Sequence, residues 1–198
     1  MVHNFDPVLI NLGFIKIHWY SLAYIFGILI GWWYGRIIIK KKISNVERDN
    51  YIKNYDDLIS YIIIGVIVGG RLGYIIFYNP SYFIEDPLQI FKIWEGGMSF
   101  HGALVGVVIG THLFAKSIET ETLLFLDIIA CVAPIGIFFG RIANFINGEL
   151  WGKPTTSTFG IQFTKGQGKF CPSSNEIPCF RHPSQLYEAF FEGIVLML

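Results

Sequence analysis

Several polar side chains stand in this chain where an apolar environment makes them costly. Arg71, His101, Arg141 and Asn144 lie inside long runs of Ile, Leu, Val, Phe and Gly, and Tyr20 opens another such run. Asn147, Glu149 and Gly152 follow Asn144 at short spacing. An arginine in the middle of a membrane span costs about 2.5–3.5 kcal/mol on insertion scales, so each of these residues requires a reason. The chemistry that fits the set is recognition of an anion. A guanidinium presents a rigid fork matched to phosphate and stays charged when half-buried, and a histidine beside it can take a proton near neutral pH.

Plainer readings compete at each position. Arg71 could snorkel or form a structural ion pair, and His101 could bond backbone at a helix end. Arg141 is harder to explain that way, with Asn144, Asn147 and Glu149 beside it. Asp127 and His112 read as packing or capping residues, and Arg36 complements a helix dipole.

The elements that must position these groups are membrane helices. Of 198 residues, 53% are hydrophobic and 15% charged, with zero net charge, and mean hydropathy is +0.48. A soluble domain carries about 25% charged residues. With no basic stripe to neutralise phosphates, nucleic acid is excluded as a partner. Four apolar runs, Trp19–Ile39, Leu58–Phe77, Met98–Ala115 and Leu123–Ile146, are each long enough to cross a core of about 30 Å. The expected fold is therefore an all-α membrane bundle. Residues 1–146 hold the spans 19–39, 58–77, 98–115 and 123–146. Residues 147–185, rich in Gly, Pro, Ser and Thr with a strand-like piece at Thr158–Thr164, form a small external head. Residues 186–198 begin a further helix that is too short to span. Residues 80–95 are expected as a short surface helix, and 5–17 as a segment along the membrane surface. The N-terminus lacks the basic stretch of a cleavable signal peptide.

Lysine and arginine set the orientation. Lys40, Lys41, Lys42, Arg48 and Lys53 cluster after the first run, which places loop 40–57 in the cytoplasm. The N-terminus, residues 78–97 and the head are then outside. Tyr20, Arg71 (about 9 Å deep by the helical rise), His101, Arg141 and Asn144 fall at similar depth beneath the outer face. Cys171 and Cys179 also fall outside, where a disulfide can form. A zinc pair is the rival reading, and no second pair of ligands follows. Glycines recur every fourth residue (Gly27, Gly31, Gly35; Gly65, Gly69, Gly73; Gly102, Gly106, Gly110; Gly136, Gly140), which permits close helix packing.

The run GRIANFINGELWGKPT, Gly140–Thr155, resembles the signature of the prolipoprotein diacylglyceryl transferases, with Gly140, Arg141, Ala143, Asn144, Phe145, Asn147, Glu149 and Gly152 at the family's offsets. HWYSL (His18–Leu22), GGRLGY (Gly69–Tyr74), WEGGMSFHGALVG (Trp94–Gly106) and RHPSQLYE (Arg181–Glu188) are similar to further stretches of that family, in the same order. The resemblance implies a bundle of seven spans with a small periplasmic head in the bacterial inner membrane, acting without metal or organic cofactor. Its implied partners are phosphatidylglycerol, prolipoprotein signal peptides bearing a lipobox cysteine, and membrane lipids. Its implied reaction moves a diacylglyceryl group to the cysteine thiol as a thioether, and glycerol phosphate leaves.

On this reading Arg141, His101 and Tyr20 are the catalytic candidates. Arg141, Asn144, Asn147, Glu149, Gly152 and Arg71 are the candidates for binding the lipid. A transporter for an anion or lipid, or a noncatalytic scaffold, are the rivals. A transporter needs a polar route through the inner halves of the spans, which are largely apolar here. The resembled family continues past residue 198 with two more spans, so the chain is expected to be a truncated form. Residues 1–198 alone should fail to restore lipoprotein modification to a strain lacking the enzyme; full rescue would show the missing spans to be dispensable.

Overall fold

The structure, a computed structural model, describes residues 1–13, 16–43, 45–78, 80–164 and 179–198. The chain divides into two compact units, Met1–Tyr34 with Ala130–Leu198, and Gly35–Ile129. Helices dominate: α1 (Trp19–Lys42), α2 (Asn45–Tyr78), α3 (Pro80–Glu85), α4 (Phe100–Ser117), α5 (Thr122–Asn147) and α6 (Ser184–Glu188). Three of them contain segments long and apolar enough to cross a membrane: Trp19–Lys42, Tyr51–Tyr78 and Thr122–Asn147. The run expected to span at 98–115 is helix α4. It is 18 residues long and carries His101, His112 and Lys116, and it is not among those three.

The segment 40–57, expected as a loop, is mostly helix. α1 continues to Lys42 and α2 begins at Asn45. The reason lies in the apolar spacing within a polar stretch. Tyr51, Tyr55 and Leu58 recur at four- and three-residue intervals, the period of a helix face. Tyr55 and Leu58 are buried, and the Tyr51 ring lies 5.8 Å from Phe125. Arg36 pairs with Asp56 at 3.2 Å and so holds this helical extension; because α1 runs on to Lys42, the complement to the helix end comes from Lys40, Lys41 and Lys42 rather than from Arg36.

In the second unit α2 and α4 pack antiparallel along their glycine stripes. A Cβ on Gly65, Gly69, Gly102 or Gly106 would collide with a backbone carbonyl of the opposite helix, and one on Gly110 would stand 2.6 Å from the Tyr61 carbonyl oxygen. The backbones thus touch directly, as small-residue spacing allows. The α1 and α5 stripes meet more loosely, a Gly27 Cβ lying 3.4 Å from Gly136 Cα. Between α2 and α4, α3 and the 3₁₀ turns Pro87–Phe91 and Ile93–Glu95 form the short surface element expected at 80–95.

In the first unit, strand β1 (Val2–His3) pairs parallel with β4 (Ile161–Phe163), and β5 (Phe180–Arg181) pairs antiparallel with β4. The start of the chain is therefore built into the head, a pairing that no local pattern announces. Residues expected along the membrane surface form a bulged hairpin of β2 (Val8–Asn11) and β3 (Lys16–His18); their loose alternation was strand periodicity. After α6 the chain stays helical, π-type over Ala189–Ile194 and 3₁₀ over Val195–Met197. Cys179 is disulfide-bonded; Cys171, its expected partner, lies outside the described residues.

Replacing Gly106 by valine should lower the melting temperature in detergent, by overpacking worth about 1–3 kcal/mol. Gly136→Ala, where an added Cβ meets nothing within 4 Å, should leave it unchanged or raise it. Equal melting of the two variants would refute the tight α2–α4 contact.

Candidate active site

The end of α5 creates the main polar cluster. Gly148 takes φ +70°, a left-handed conformation that glycine adopts without strain. The Gly148 N–H then donates to the Phe145 carbonyl at 3.0 Å, and the Glu149 N–H to the Asn144 carbonyl at 3.1 Å. These two bonds make a Schellman termination, which satisfies the last helical carbonyls. The same reversal swings Glu149 back over the helix it has just left. Its Oε1 accepts from Asn144 Nδ2 at 2.9 Å and from Asn147 Nδ2 at 3.4 Å. Asn144 is buried, whereas Glu149 is exposed. Asn147 Oδ1 is buried with no hydrogen-bond partner.

Residues that sequence reasoning missed hold this end in place. His3, buried among Phe5, Phe145 and Phe163, shares a 2.6 Å hydrogen bond between its Nε2 and the Phe145 carbonyl. Leu150 is left-handed at φ +54°, which is strained for a residue with a Cβ. Ser184 Oγ donates to the Leu150 carbonyl at 2.9 Å, and the fully buried Gln185 donates through Nε2 to the Glu149 carbonyl. Glu188, one turn further along α6, pairs with Arg141 at 2.8 Å. The signal was present in RHPSQLYE, which carried the resemblance without any role being given to Gln185 or Glu188.

Gly152 makes the close backbone approach expected of it. Its N–H donates to the His182 carbonyl at 2.9 Å, and an added Cβ would stand 3.0 Å from that oxygen. Arg181 donates to the Gly152 carbonyl at 3.1 Å and stacks 4.0 Å from the Trp151 ring. Burial lowers the Arg181 pKa from the usual arginine range. Tyr20 accepts a long hydrogen bond, 3.4 Å, from the Tyr24 hydroxyl.

Arg71 and His101 belong to the other unit. Arg71 is buried, and its guanidinium donates to the carbonyls of Gln89, Ile90, Lys92, Gly96 and Gly97. All five N–H groups of the side chain are thereby engaged in folding residues 87–97 over the end of α2. Phe83 lies 5.1 Å from the guanidinium carbon. Gly97, at φ +81°, allows the approach, since a Cβ there would meet the Tyr74 ring and Arg71 Nη1. Buried Ser99 caps α4 by accepting from the Gly102 N–H at 3.2 Å. His101 follows two residues later, exposed, its ring 5.8 Å from Phe100. It lines the end of an apolar groove of about 720 Å³ along α2 and α4. His112 is exposed and shares a 3.0 Å hydrogen bond between its Nδ1 and the Thr122 hydroxyl. Among the described residues no cluster of His, Cys, Asp or Glu has the makings of a metal site.

The first unit thus gathers Arg141, Asn144, Asn147, Glu149 and Gly152 around one helix end, and the second holds His101 at the start of another. Residues 7–198 match the sequence model of the prolipoprotein diacylglyceryl transferases. A phosphatidylglycerol–prolipoprotein diacylglyceryl transferase of Rickettsia canadensis is 51% identical over 193 residues, covering 98% of this chain and 69% of that protein. Proteins of the same name from Rickettsia felis and Rickettsia conorii are 50% and 49% identical over the same coverage. With nearly its whole length matched, and with the polar cluster built from the motif that first suggested the resemblance, the chain belongs to the prolipoprotein diacylglyceryl transferase family, membrane-embedded transferases of lipoprotein biosynthesis.

Proposed function

We propose that this chain transfers the diacylglyceryl group of phosphatidylglycerol to the thiol of a prolipoprotein lipobox cysteine, with Arg141 gripping the lipid phosphate. The observation that carries this reading is the placement of Arg141. It is a part-exposed guanidinium on the last turns of a membrane-length helix, beside a fixed amide–carboxylate cluster.

In the reaction the cysteine sulfur forms a bond to the glycerol carbon while that carbon's bond to the phosphate oxygen breaks. The bonding pair passes to the oxygen, and glycerol phosphate leaves. Negative charge therefore grows on the phosphate, and a donor fork fixed in advance lowers the barrier most in a site poor in water. An unperturbed thiol has a pKa of about 8.5, so it must lose its proton to attack. His101 is the proposed acceptor of that proton. Asn147 Oδ1, buried without a partner, offers a bond that a hydroxyl of the lipid glycerol can complete. Glu149, its Oε1 held by two amides, accepts from the same headgroup, and Tyr20 completes the polar lining. Arg71 in this scheme is a brace for residues 87–97 rather than a lipid contact, because its N–H groups are engaged. The proposed orientation places the head and the N-terminus outside, the α1–α2 connection in the cytoplasm, and α4 as a further span.

Single substitutions in the intact gene product, assayed in membranes with labelled phosphatidylglycerol, test the scheme. Arg141→Ala should lower transfer by about 10²–10³-fold, as loss of one charge-stabilising donor does. His101→Gln should cost about 10²-fold or more, the range of general base catalysis. Asn144→Ala, which leaves Glu149 with only the longer bond from Asn147, should cost about tenfold or more. Undiminished transfer in all three would overturn the assignment.

A further inference from the structure

We infer that Glu188 is the exchangeable counter-ion of Arg141, which yields the guanidinium to the incoming lipid phosphate and returns to it to expel the phosphate product. The inference rests on the reading of Arg141 as the phosphate site and adds to it a residue and a step.

The ion pair is close, 2.8 Å, yet its side chains are 31% and 33% exposed. Neither partner is sealed in, so an anion can reach the guanidinium. Glu188 is also held in register. Ser184 and Gln185, on the same short helix, bond the carbonyls of Leu150 and Glu149, fixing α6 against the turn that ends α5. Glu188 is thus delivered to Arg141 by a rigid arm, and the backbone turns π-helical directly after it, a feature frequent at functional positions. The other carboxylate of the cluster, Glu149, is bonded by Asn144 and Asn147. The two acids therefore have separate tasks, one lining the site and one pairing with its cation.

Charge explains why such a device helps. The lipid phosphodiester carries one negative charge, and the departing glycerol phosphate is a monoester with about 1.5–2 charges at neutral pH. A bare guanidinium would hold product more tightly than substrate. A carboxylate competing for the same fork repels the more charged species more strongly, and it keeps the part-buried arginine paired when the site is empty.

The test compares Glu188→Gln and Glu188→Asp with the unaltered intact protein, measuring turnover of phosphatidylglycerol, its KM, and inhibition by added glycerol phosphate. Glu188→Gln should lower the inhibition constant of glycerol phosphate by about tenfold and lower kcat, while KM falls or holds. Glu188→Asp keeps the charge on a shorter arm and should shift the inhibition constant in the same direction by about threefold. A purely bracing role would lower the melting temperature and leave the inhibition constant where it was; that result overturns the inference, and if Glu188→Gln does not fold, Glu188→Asp decides on the same measure. Arg141→Ala separates the two layers. If it retains full turnover and full sensitivity to glycerol phosphate, the phosphate reading itself fails. If it loses both while Glu188→Gln leaves the inhibition constant unchanged, only the counter-ion step fails.

Discussion

The way α5 stops governs the first unit. A helix that ends inside or beside a membrane must satisfy its last carbonyls without water, because an unpaired backbone group there costs several kcal/mol. Here glycine at 148 reverses the chain and two backbone bonds close the end. His3 bonds the Phe145 carbonyl from the head sheet. What began as a solution for backbone carbonyls also returns Glu149 to Asn144 and Asn147, and it starts the turn that Ser184 and Gln185 clasp. The polar cluster is a consequence of helix termination, and its rigidity comes from the same bonds.

The second unit solves a related problem by different means. Arg71 closes the end of α2 by drawing five carbonyls of residues 89–97 onto one guanidinium. That fixes the approach to α4, where Ser99 caps the helix and His101 follows. Below, the interlocked glycines of α2 and α4 bring the two backbones into contact, so His101 is presented from a helix pair with little freedom to slide. In each unit a polar residue beside an apolar helix is held by backbone carbonyls or amides rather than by solvent.

Much of this was legible in the sequence, for physical reasons that differ by element. The apolar runs of α1, α2, α4 and α5 declare themselves by length, and the glycine spacing declares the close pairing of α2 and α4. Asn144, Asn147 and Glu149 stand close enough in sequence that one tight reversal must bring them together. The polar stretch before Leu58 misled, because charge suggested a loop while Tyr51, Tyr55 and Leu58 kept helical period. His3, Gln185 and Glu188 were illegible for another reason: each acts across a separation of dozens of residues or more, and nothing local marks its partner. Arg71 shows the converse. Its depth and charge made it a fair lipid ligand, and only the carbonyls converging on it reveal that its donors are already used.

On the proposed scheme, the contrast between Arg71 and Arg141 separates an arginine that holds the fold from one that holds a ligand. Both lie in membrane-length helices, and both are compensated, as buried charge must be. Arg71 is compensated by backbone carbonyls, which cannot leave without unfolding the loop, and it is sealed at 6% exposure. Arg141 is compensated by a carboxylate on a side chain that can rotate away, at a site open to approach. A cation meant to hold a transient anion needs a partner that can be replaced by it; a cation meant to hold the fold needs partners that cannot. Lysine would serve poorly in either place, since a single ammonium can neither engage the five carbonyls at position 71 nor, under the proposed scheme, present two parallel N–H bonds to a phosphate at position 141.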